Sequence, residues 1–119
     1  MAEHNILGQK GEEEAAQFLR AKGYHILERN YRFHRDEVDI IAQKEDVIVA
    51  VEVKTRSSDY FGNPQDFVKP KQIKRMVRVL DHYIVKKNLD VEARFDIIAI
   101  LKTDSGSQIE HLEDAFLYF

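Results

Sequence analysis

Three residues in the middle of the chain have side chains and spacing that suit metal-dependent hydrolysis. Glu52 and Lys54 stand two positions apart in the run VEVKTR, and Asp39 belongs to the preceding run DEVDIIA. Alternate side chains of a strand share one face, so Glu52 and Lys54 are expected to project together. If Glu45 and Asp46 form a two-residue turn between the two runs, Asp39 lies directly across from Glu52.

Two carboxylates at cross-strand distance repel each other, and a divalent cation would relieve that repulsion. The chain has no cysteine, so any metal must be held by oxygen or imidazole, and two carboxylates favour Mg²⁺ or Mn²⁺. Such a metal polarises a phosphate and acidifies its bound water, while Lys54 would face the developing charge. The pattern therefore indicates phosphodiester hydrolysis. The alternative is an ion-pair network of Asp39, Glu52 and Lys54 on a solvated strand face.

A further carboxylate could come from the first helix, which apolar spacing predicts from Gly8 to Lys22. At about 100° per residue, Glu12 falls beside the apolar stripe of this helix, whereas Glu13 points away from it. Glu12 could therefore approach the metal site. Alternatively, Glu12, Glu13 and Glu14 only complement the helix dipole in a first turn.

The remaining elements alternate in type along the chain. Three extended stretches, a second amphipathic helix and a near-continuously apolar strand are predicted at His25–Arg32, Glu37–Gln43, Val47–Thr55, Lys69–Lys87 and Ala93–Leu101. Loops are predicted at Ser57–Pro64 and Thr103–Ser107, and the tail IEHLEDAFLYF is ambiguous between strand and helix. This order predicts an α/β fold with a mixed sheet flanked by helices, in one domain spanning residues 1–119.

Composition restricts the class of protein and its partners. Of 119 residues, 44% are hydrophobic and 33% charged, which allows a buried core and disfavours a membrane class. The start MAEHNILGQKGEEE lacks a signal-peptide pattern and no run of about 18 apolar residues occurs, so a cytoplasmic protein without a membrane partner is expected. Because the net charge is -3, nucleic acid would have to bind at local basic clusters.

Several ordered blocks of the chain resemble the motifs of the bacterial YraN-like family. They are GxxGEEEAAQFLxxxGYxILERNYR, DEVDIIA, VAVEVKTRS, FGNPQDFVKPKQ, RFDIIAI and IEHLEDAF, and they cover nearly the whole chain. That family is a branch of the PD-(D/E)XK nuclease superfamily and is similar to archaeal Holliday junction resolvases. The resemblance implies a restriction-endonuclease-like core (αβββαβ) and catalytic roles for Asp39, Glu52 and Lys54, with Glu12 matching the helix-one acid of resolvase-like members.

The resemblance bears on three further points. Some relatives use a residue at the start of the second helix, here near Gln72, to assist the site. Resolvase-like relatives act as two-fold dimers, which implies a homodimer, and Phe116, Leu117 and Phe119 could pack on the sheet or on a second subunit. Asp36 stands where the family usually has glycine. A left-handed backbone there would suit Asp, whereas a carboxylate reaching the site would disturb the metal geometry.

Basic residues indicate where nucleic acid could bind. The apolar stripe predicted for the second helix consists of Ile73, Met76, Val77, Leu80 and Ile84. Basic side chains lie opposite this stripe, and a second basic cluster with aromatic neighbours spans residues 29–35. The nucleic-acid contacts proposed on these grounds are Arg32, Arg35, Arg56, Lys71, Gln72, Lys74, Arg75 and Arg78. The alternatives are a solvated helix face and ordinary strand packing of Tyr31 and Phe33.

The leading hypothesis from the sequence is a Mg²⁺- or Mn²⁺-dependent DNA endonuclease, with branched DNA among the substrates considered. Its rival is a catalytically silent nucleic-acid-binding or interaction module on the same scaffold, for which Asp36 is the sequence hint. A third hypothesis is a structural protein whose charged strand faces are only solvated.

Overall fold

The computed structural model describes residues 2–57 and 69–115, with side chains described from residue 10 onward. Its elements are α1 Ala2–Ala21, β1 His25–Phe33, β2 Asp36–Lys44, β3 Val47–Ser57, α2 Pro70–Lys87, β4 Glu92–Thr103 and β5 Gly106–Leu112. The strands form a mixed sheet in the order β1-β2-β3-β4-β5, with β3 and β4 parallel and the other neighbours antiparallel. This is the predicted α/β fold class, consistent with a restriction-endonuclease-like core. Within the described residues, neither helix is long and apolar enough to cross a membrane.

The turn between β2 and β3 sets the register of the two strands. Residues 45 and 46 form the predicted two-residue turn, since Lys44 pairs with Val47. Glu45 has a φ of 55°, the positive value that tight hairpin turns use. From this turn the antiparallel pairing runs as far as Ile40 opposite Val51. The register is therefore the one expected from the sequence.

α1 packs on one face of the sheet through small and apolar side chains. Ala15, Ala16 and Leu19 have no exposed surface, and they pack in one cluster with strand residues such as Val49 and Ile98. The small alanines let the helix backbone approach the sheet closely. Burial of a larger apolar side chain, such as that of Leu19, contributes about 1.5–3 kcal/mol to the stability of the fold.

The acidic run of α1 lies in the middle of the helix. The helix begins at Ala2, upstream of the predicted start at Gly8, so the expectation that residues 12–14 complement the dipole of a first turn is wrong. Glu13 accepts a hydrogen bond from Arg29 of β1 at 2.5 Å. Glu14 forms an ion pair with Lys102 of β4. These acids therefore link the helix to the sheet.

α2 packs on the opposite face, and its buried side differs from the predicted stripe. The buried residues of this helix are Ile73, Met76, Val79, Leu80 and Tyr83. Val77, predicted to be buried, is 38% exposed, and Ile84 is only half-buried. The helix turns Tyr83 toward the sheet, where the Tyr83 ring packs edge to face on Tyr31 of β1 with centroids 5.1 Å apart.

β4 is an interior strand that is buried on both faces, as its apolar run predicted. Ile98 packs in the α1 cluster, whereas Ile97 packs with Ile73 of α2. The turn at residues 104–105, within the predicted loop, leads into β5, so the tail is a strand as far as Leu112. The terminal Phe116, Leu117 and Phe119, and the predicted loop at Ser57–Pro64 beyond Ser57, lie outside the described residues.

A fully buried carboxylate ties β4 to β5 and to the residues that follow. Asp96 accepts hydrogen bonds from Arg94 at 2.8 and 2.9 Å, from His111 Nε2 at 2.7 Å and from the Asp114 N–H at 3.0 Å. Burial alone would raise the pKa of Asp96, but the hydrogen bonds from His111 and Arg94 hold it below its ordinary value. The RFDIIAI block therefore has a structural role in this protein.

Candidate active site

A polar cleft of about 170 Å³ opens where the start of β2 meets the middle of β3 and the first turns of α2. Its lining residues are Arg35, Glu37, Asp39, Glu52, Gln72 and Arg75. Asp39 and Glu52, which come from neighbouring strands, therefore reach the same side of the sheet. A lining of carboxylates, guanidinium groups and one amide suits an ionic ligand better than an apolar one.

The alternation of β2 is interrupted next to Asp39, although Asp39 keeps the side of the sheet that alternation from Ile41 predicts. Strict alternation predicts that Val38 faces the same side as Ile40, but Val38 packs with Ile41 in the α2 cluster. Asn30 of β1, which lies between the pairs Arg29–Ile40 and Tyr31–Val38, has a φ of 52°. One step beyond the last pair of β2 and β3, Asp39 Oδ2 accepts the Val53 N–H at 2.8 Å. This hydrogen bond fixes the Asp39 carboxylate beside Glu52.

The two carboxyl groups are electrostatically coupled. Burial, and next the charge of Asp39, raise the pKa of Glu52 to about 8. Burial also raises the pKa of Asp39, against the hydrogen bonds from Val53 and Glu52, which lower it. Glu52 in its protonated form donates to Asp39, so the pair shares one proton near neutral pH. A divalent cation could take the place of that proton.

Lys54 lies next to Glu52 at the edge of the site. Its Nζ is 3.4 Å from Glu52 Oε1, and the two side chains are 20% and 13% exposed. Two positions apart on β3, they project together as the strand period predicted. Lys54 does not line the cleft itself, and it neighbours the cleft through its contact with Glu52.

Glu12 is connected to the site through a residue that the sequence did not identify. With its amide nitrogen turned toward both carboxylates, Asn30 donates to Glu12 Oε1 at 2.9 Å and to Glu37 Oε1 at 3.2 Å. Burial, and next the charge of Asp39, raise the pKa of Glu12. Glu12 therefore lies near Asp39 without lining the cleft. Glu37 could have been found from the sequence, because it shares a strand face with Asp39, whereas no sequence signal marked Asn30.

Asp39 and Glu52 suit a hard divalent cation that keeps most of its water. Among the residues that the structure describes, no set of three or more His, Cys, Asp or Glu side chains is grouped so that it could hold a metal ion. Mg²⁺ commonly binds through one or two carboxylates, with water and substrate phosphates as its other ligands. The two coupled, largely buried carboxyl groups fit that mode of binding, and they do not form an all-protein cage.

The predicted nucleic-acid contacts divide between the cleft and the outer surface. Arg35, Gln72 and Arg75 line the cleft, whereas Lys71 and Lys74 are exposed on the outer side of α2. Gln72 Oε1 accepts the Lys69 N–H at 3.1 Å, which caps the helix. The other predicted contacts have protein partners: Arg32 with Glu37 at 2.8 Å, Arg56 with the Thr55 carbonyl at 2.9 Å, and Arg78 with Asp36 at 2.9 Å.

Two further expectations from the sequence concern the β1–β2 hairpin. The left-handed residue of its turn is His34, with a φ of 58°, and Asp36 is the first residue of β2. The Asp36 carboxylate does not line the cleft, since it pairs with Arg78. Phe33 stacks on His82 of α2 with centroids 3.8 Å apart. Together with the Tyr31 contact described above, this favours ordinary packing over stacking on a base.

The fold and site define a small α/β protein in which two neighbouring strands present three acids to a charged cleft. The chain belongs to the family described as "Uncharacterised protein family UPF0102", whose model matches residues 11–100. It is 60% identical to a UPF0102 protein from Christiangramia forsetii and 56% identical to one from Flavobacterium psychrophilum, over 119 residues and the whole of each chain. A UPF0102 protein from Bacteroides thetaiotaomicron is 45% identical over 116 residues, which are 98% of this chain and 96% of the relative.

Proposed function

We propose that this protein is a Mg²⁺- or Mn²⁺-dependent endonuclease of the PD-(D/E)XK type that hydrolyses phosphodiester bonds in DNA, with branched DNA among its substrates. The proposal rests on one observation above all: Asp39 and Glu52 reach the same cleft from neighbouring strands, close enough to share a hydrogen bond. The resemblance of DEVDIIA and VAVEVKTRS to nuclease motifs supports the same conclusion.

In this proposal Asp39 and Glu52 hold the divalent ion. The ion, when bound, would polarise the phosphate and lower the pKa of a water molecule. Because the Val53 N–H engages one oxygen of Asp39, the carboxylate keeps one orientation with or without the ion. The raised pKa of Glu52 means that binding releases a proton near neutral pH.

The remaining polar residues have distinct roles in the proposal. Lys54, 3.4 Å from Glu52, faces the negative charge that develops on the phosphate or exchanges a proton with the attacking water. Arg35 and Arg75 bind phosphate oxygens from the wall of the cleft. Gln72 uses its carbonyl as a helix cap, which leaves its amide NH₂ for the substrate. Glu12 supports the site through Asn30.

The second candidate function is a nucleic-acid-binding module on this scaffold that does not cleave. It is favoured by the observation that no group of three or more His, Cys, Asp or Glu side chains among the described residues could hold a metal ion. This module would bind DNA in a salt-sensitive way and would be indifferent to Mg²⁺ and to Glu52→Gln. The two candidates therefore differ in their dependence on the divalent ion.

The test is a cleavage assay with labelled four-way junction, flap and linear duplex DNA in the presence of Mn²⁺ or of a chelator. Wild-type protein should cut at least one of these DNAs only with Mn²⁺. Glu52→Gln and Asp39→Asn should abolish cutting, because each removes a ligand charge with little change in shape. Asp104→Asn, an exposed acid in the β4–β5 turn, is the matched control and should cut like the wild type.

The outcomes separate the candidates. Undiminished cutting by both acid variants would rule out the assigned site. DNA binding without any Mn²⁺-dependent cutting, on every DNA tested, would favour the binding module.

Residence in the cytoplasm and a two-fold homodimer are further parts of the proposal. The chain has no cysteine, which is compatible with a reducing compartment, and the dimer is implied by the resemblance to resolvases. Light scattering coupled to size exclusion would test the dimer directly, since a mass near 14.0 kDa is that of the single chain.

A further inference from the structure

Two arginines beside the cleft are already engaged by an anion of the protein itself. Arg78 Nε donates to Asp36 Oδ2 at 2.9 Å and Arg78 donates a second hydrogen bond to Oδ1 at 3.3 Å. Arg75 Nε lies 3.9 Å from the same Oδ1. Asp36 therefore lies between two guanidinium groups of α2, and guanidinium groups bind phosphate as well as carboxylate.

The exposure of the three side chains allows a ligand to compete for the arginines. Asp36 is only 16% exposed, whereas Arg75 and Arg78 are 53% and 55% exposed. About half of each arginine side chain is thus open to solvent, while the Asp36 side chain is largely covered. Water and salt screen the two exposed arginines, which weakens their ion pairs with Asp36. A polyanion can therefore exchange with Asp36 without unfolding any element.

Arg75 connects this ion pair to the cleft. It lines the cleft together with Arg35, Asp39 and Glu52, and its Nε also approaches Asp36. Arg35 makes no ion pair or side-chain hydrogen bond with any residue that the structure describes. A phosphate that reached Arg35 and Arg75 would therefore lie within one helical turn of Arg78.

We propose that Asp36 is an internal anion that a nucleic-acid phosphate replaces, so that it lowers the affinity of the free protein for DNA and keeps Arg75 and Arg78 oriented beside the cleft. The inference rests on the proposed function only for the class of ligand, a nucleic-acid backbone, and it does not require cleavage. Asp36 acts as a competitor for a shared pair of cations, and the phosphate gains those contacts when it binds.

The proposal predicts the effect of removing one charge from Asp36. Asp36→Asn keeps the size of the side chain and releases both arginines for phosphate. We expect about fivefold tighter binding of a labelled duplex, the gain that follows from removing a weak exposed competitor. The dependence of log K on log salt should become steeper by about one unit, because an additional cation now contacts the backbone.

The experiment measures fluorescence anisotropy of labelled duplex DNA in a chelator, over a series of NaCl concentrations. The variants are wild type, Asp36→Asn, and Asp36→Asn combined with Arg75→Gln and Arg78→Gln. Asp104→Asn is the matched control, because it removes the same charge from an exposed turn between β4 and β5. This control should change the affinity for DNA by less than twofold, since it alters the net charge of the protein at a place away from the cleft.

A second pair of variants tests whether Asp36 acts through the two arginines. Arg75→Gln with Arg78→Gln, in the presence of Asp36, is compared with the triple variant. If Asp36 acts only through these arginines, the two proteins bind DNA alike. Thermal melts of all variants identify any that are unfolded, and tighter binding cannot result from a loss of folded protein.

The outcomes distinguish this inference from the proposed function. Asp36→Asn binding that is no tighter than that of Asp104→Asn would overturn the inference, even if wild-type protein cleaves DNA. Tighter, more salt-sensitive binding by Asp36→Asn would support it, even if no DNA is cut with Mn²⁺. Absence of binding by every variant at low salt would exclude a nucleic-acid partner and overturn the inference as well.

Discussion

Asp39 takes over the role of a backbone partner in the central sheet, since its Oδ2 accepts the Val53 N–H at 2.8 Å just beyond the last pair of β2 and β3. One side chain thus completes the hydrogen bonding of the sheet and also presents a carboxylate to the cleft. Structure and proposed chemistry therefore depend on the same residue, and substitutions at Asp39 should separate them.

Asp39→Asn and Asp39→Ala should differ in stability but agree in metal binding. The amide oxygen of Asn can still accept from Val53, so Asp39→Asn should retain most of the free energy of unfolding. Ala leaves a part-buried N–H without its acceptor, which costs about 1–3 kcal/mol. Urea denaturation in a chelator measures the difference. Both variants should lose the rise in Tm that Mn²⁺ produces in the wild type. A full Mn²⁺ shift in either one would contradict the assignment of Asp39 as a ligand.

Metal-free protein should lose stability as pH rises across the ionisation of Glu52. Burial and the charge of Asp39 raise the pKa of Glu52 from its ordinary 4.5 to about 8. A raised folded-state pKa stabilises the fold fully below the unfolded pKa, and this contribution declines as pH rises through the folded value. Between about pH 4.5 and 8, the Tm in a chelator should therefore fall for the wild type relative to Glu52→Gln, whose amide does not titrate.

The control for this pH dependence is a saturating concentration of Mn²⁺. The fall of Tm with pH should then be smaller, because the cation replaces the shared proton. Parallel Tm curves for wild type and Glu52→Gln in the chelator would show that Glu52 ionises normally.

Asn30 should affect metal binding through its amide and stability through its backbone. It donates to Glu12 and Glu37 and has a φ of 52°. Asn30→Gly removes the amide but tolerates this backbone, so Mn²⁺ affinity should fall by about 10- to 100-fold, as for other residues that orient a metal site indirectly. Asn30→Ala should lose a further ~1–2 kcal/mol of stability because a Cβ strains the left-handed conformation.

Calorimetric titration of Mn²⁺ and urea denaturation measure the two effects of Asn30 separately. Wild-type Mn²⁺ affinity in Asn30→Gly would remove Asn30 and Glu12 from the proposed support of the site.

Gly11→Ala should destabilise the protein, although alanine is the better helix former. A Cβ at Gly11 would collide with Thr55 Oγ1 of β3, and overpacking of this kind costs about 1–3 kcal/mol. In a Thr55→Ala background the oxygen is gone, and the same substitution should become stabilising by up to about 1 kcal/mol through helix propensity. Urea denaturation of the four proteins gives the coupling. An unchanged sign in the Thr55→Ala background would contradict the close approach of α1 to β3.

The central strands could be predicted closely because their signals are local. The alternation of Glu52 and Lys54 and the two polar residues between β2 and β3 set both the shared strand face and the register, without reference to distant parts of the chain. The apolar run of β4 likewise indicated an interior strand. The buried face of α2 was predicted less well, since Val77 proved exposed. A helical stripe alone does not specify which side meets the aromatic residues of β1.

The sequence by itself determined the α/β order of elements, the β2–β3 register and the pairing of Asp39 with Glu52, because periodicity and turn chemistry depend on residues close in the chain. Tertiary structure decided which side chains complete the site. Asn30 joins Glu12 to Glu37, and α2 brings Gln72 and Arg75 to the cleft while Asp36 engages Arg78. These partners lie far apart in sequence, so their contacts depend on how the helices pack on the sheet.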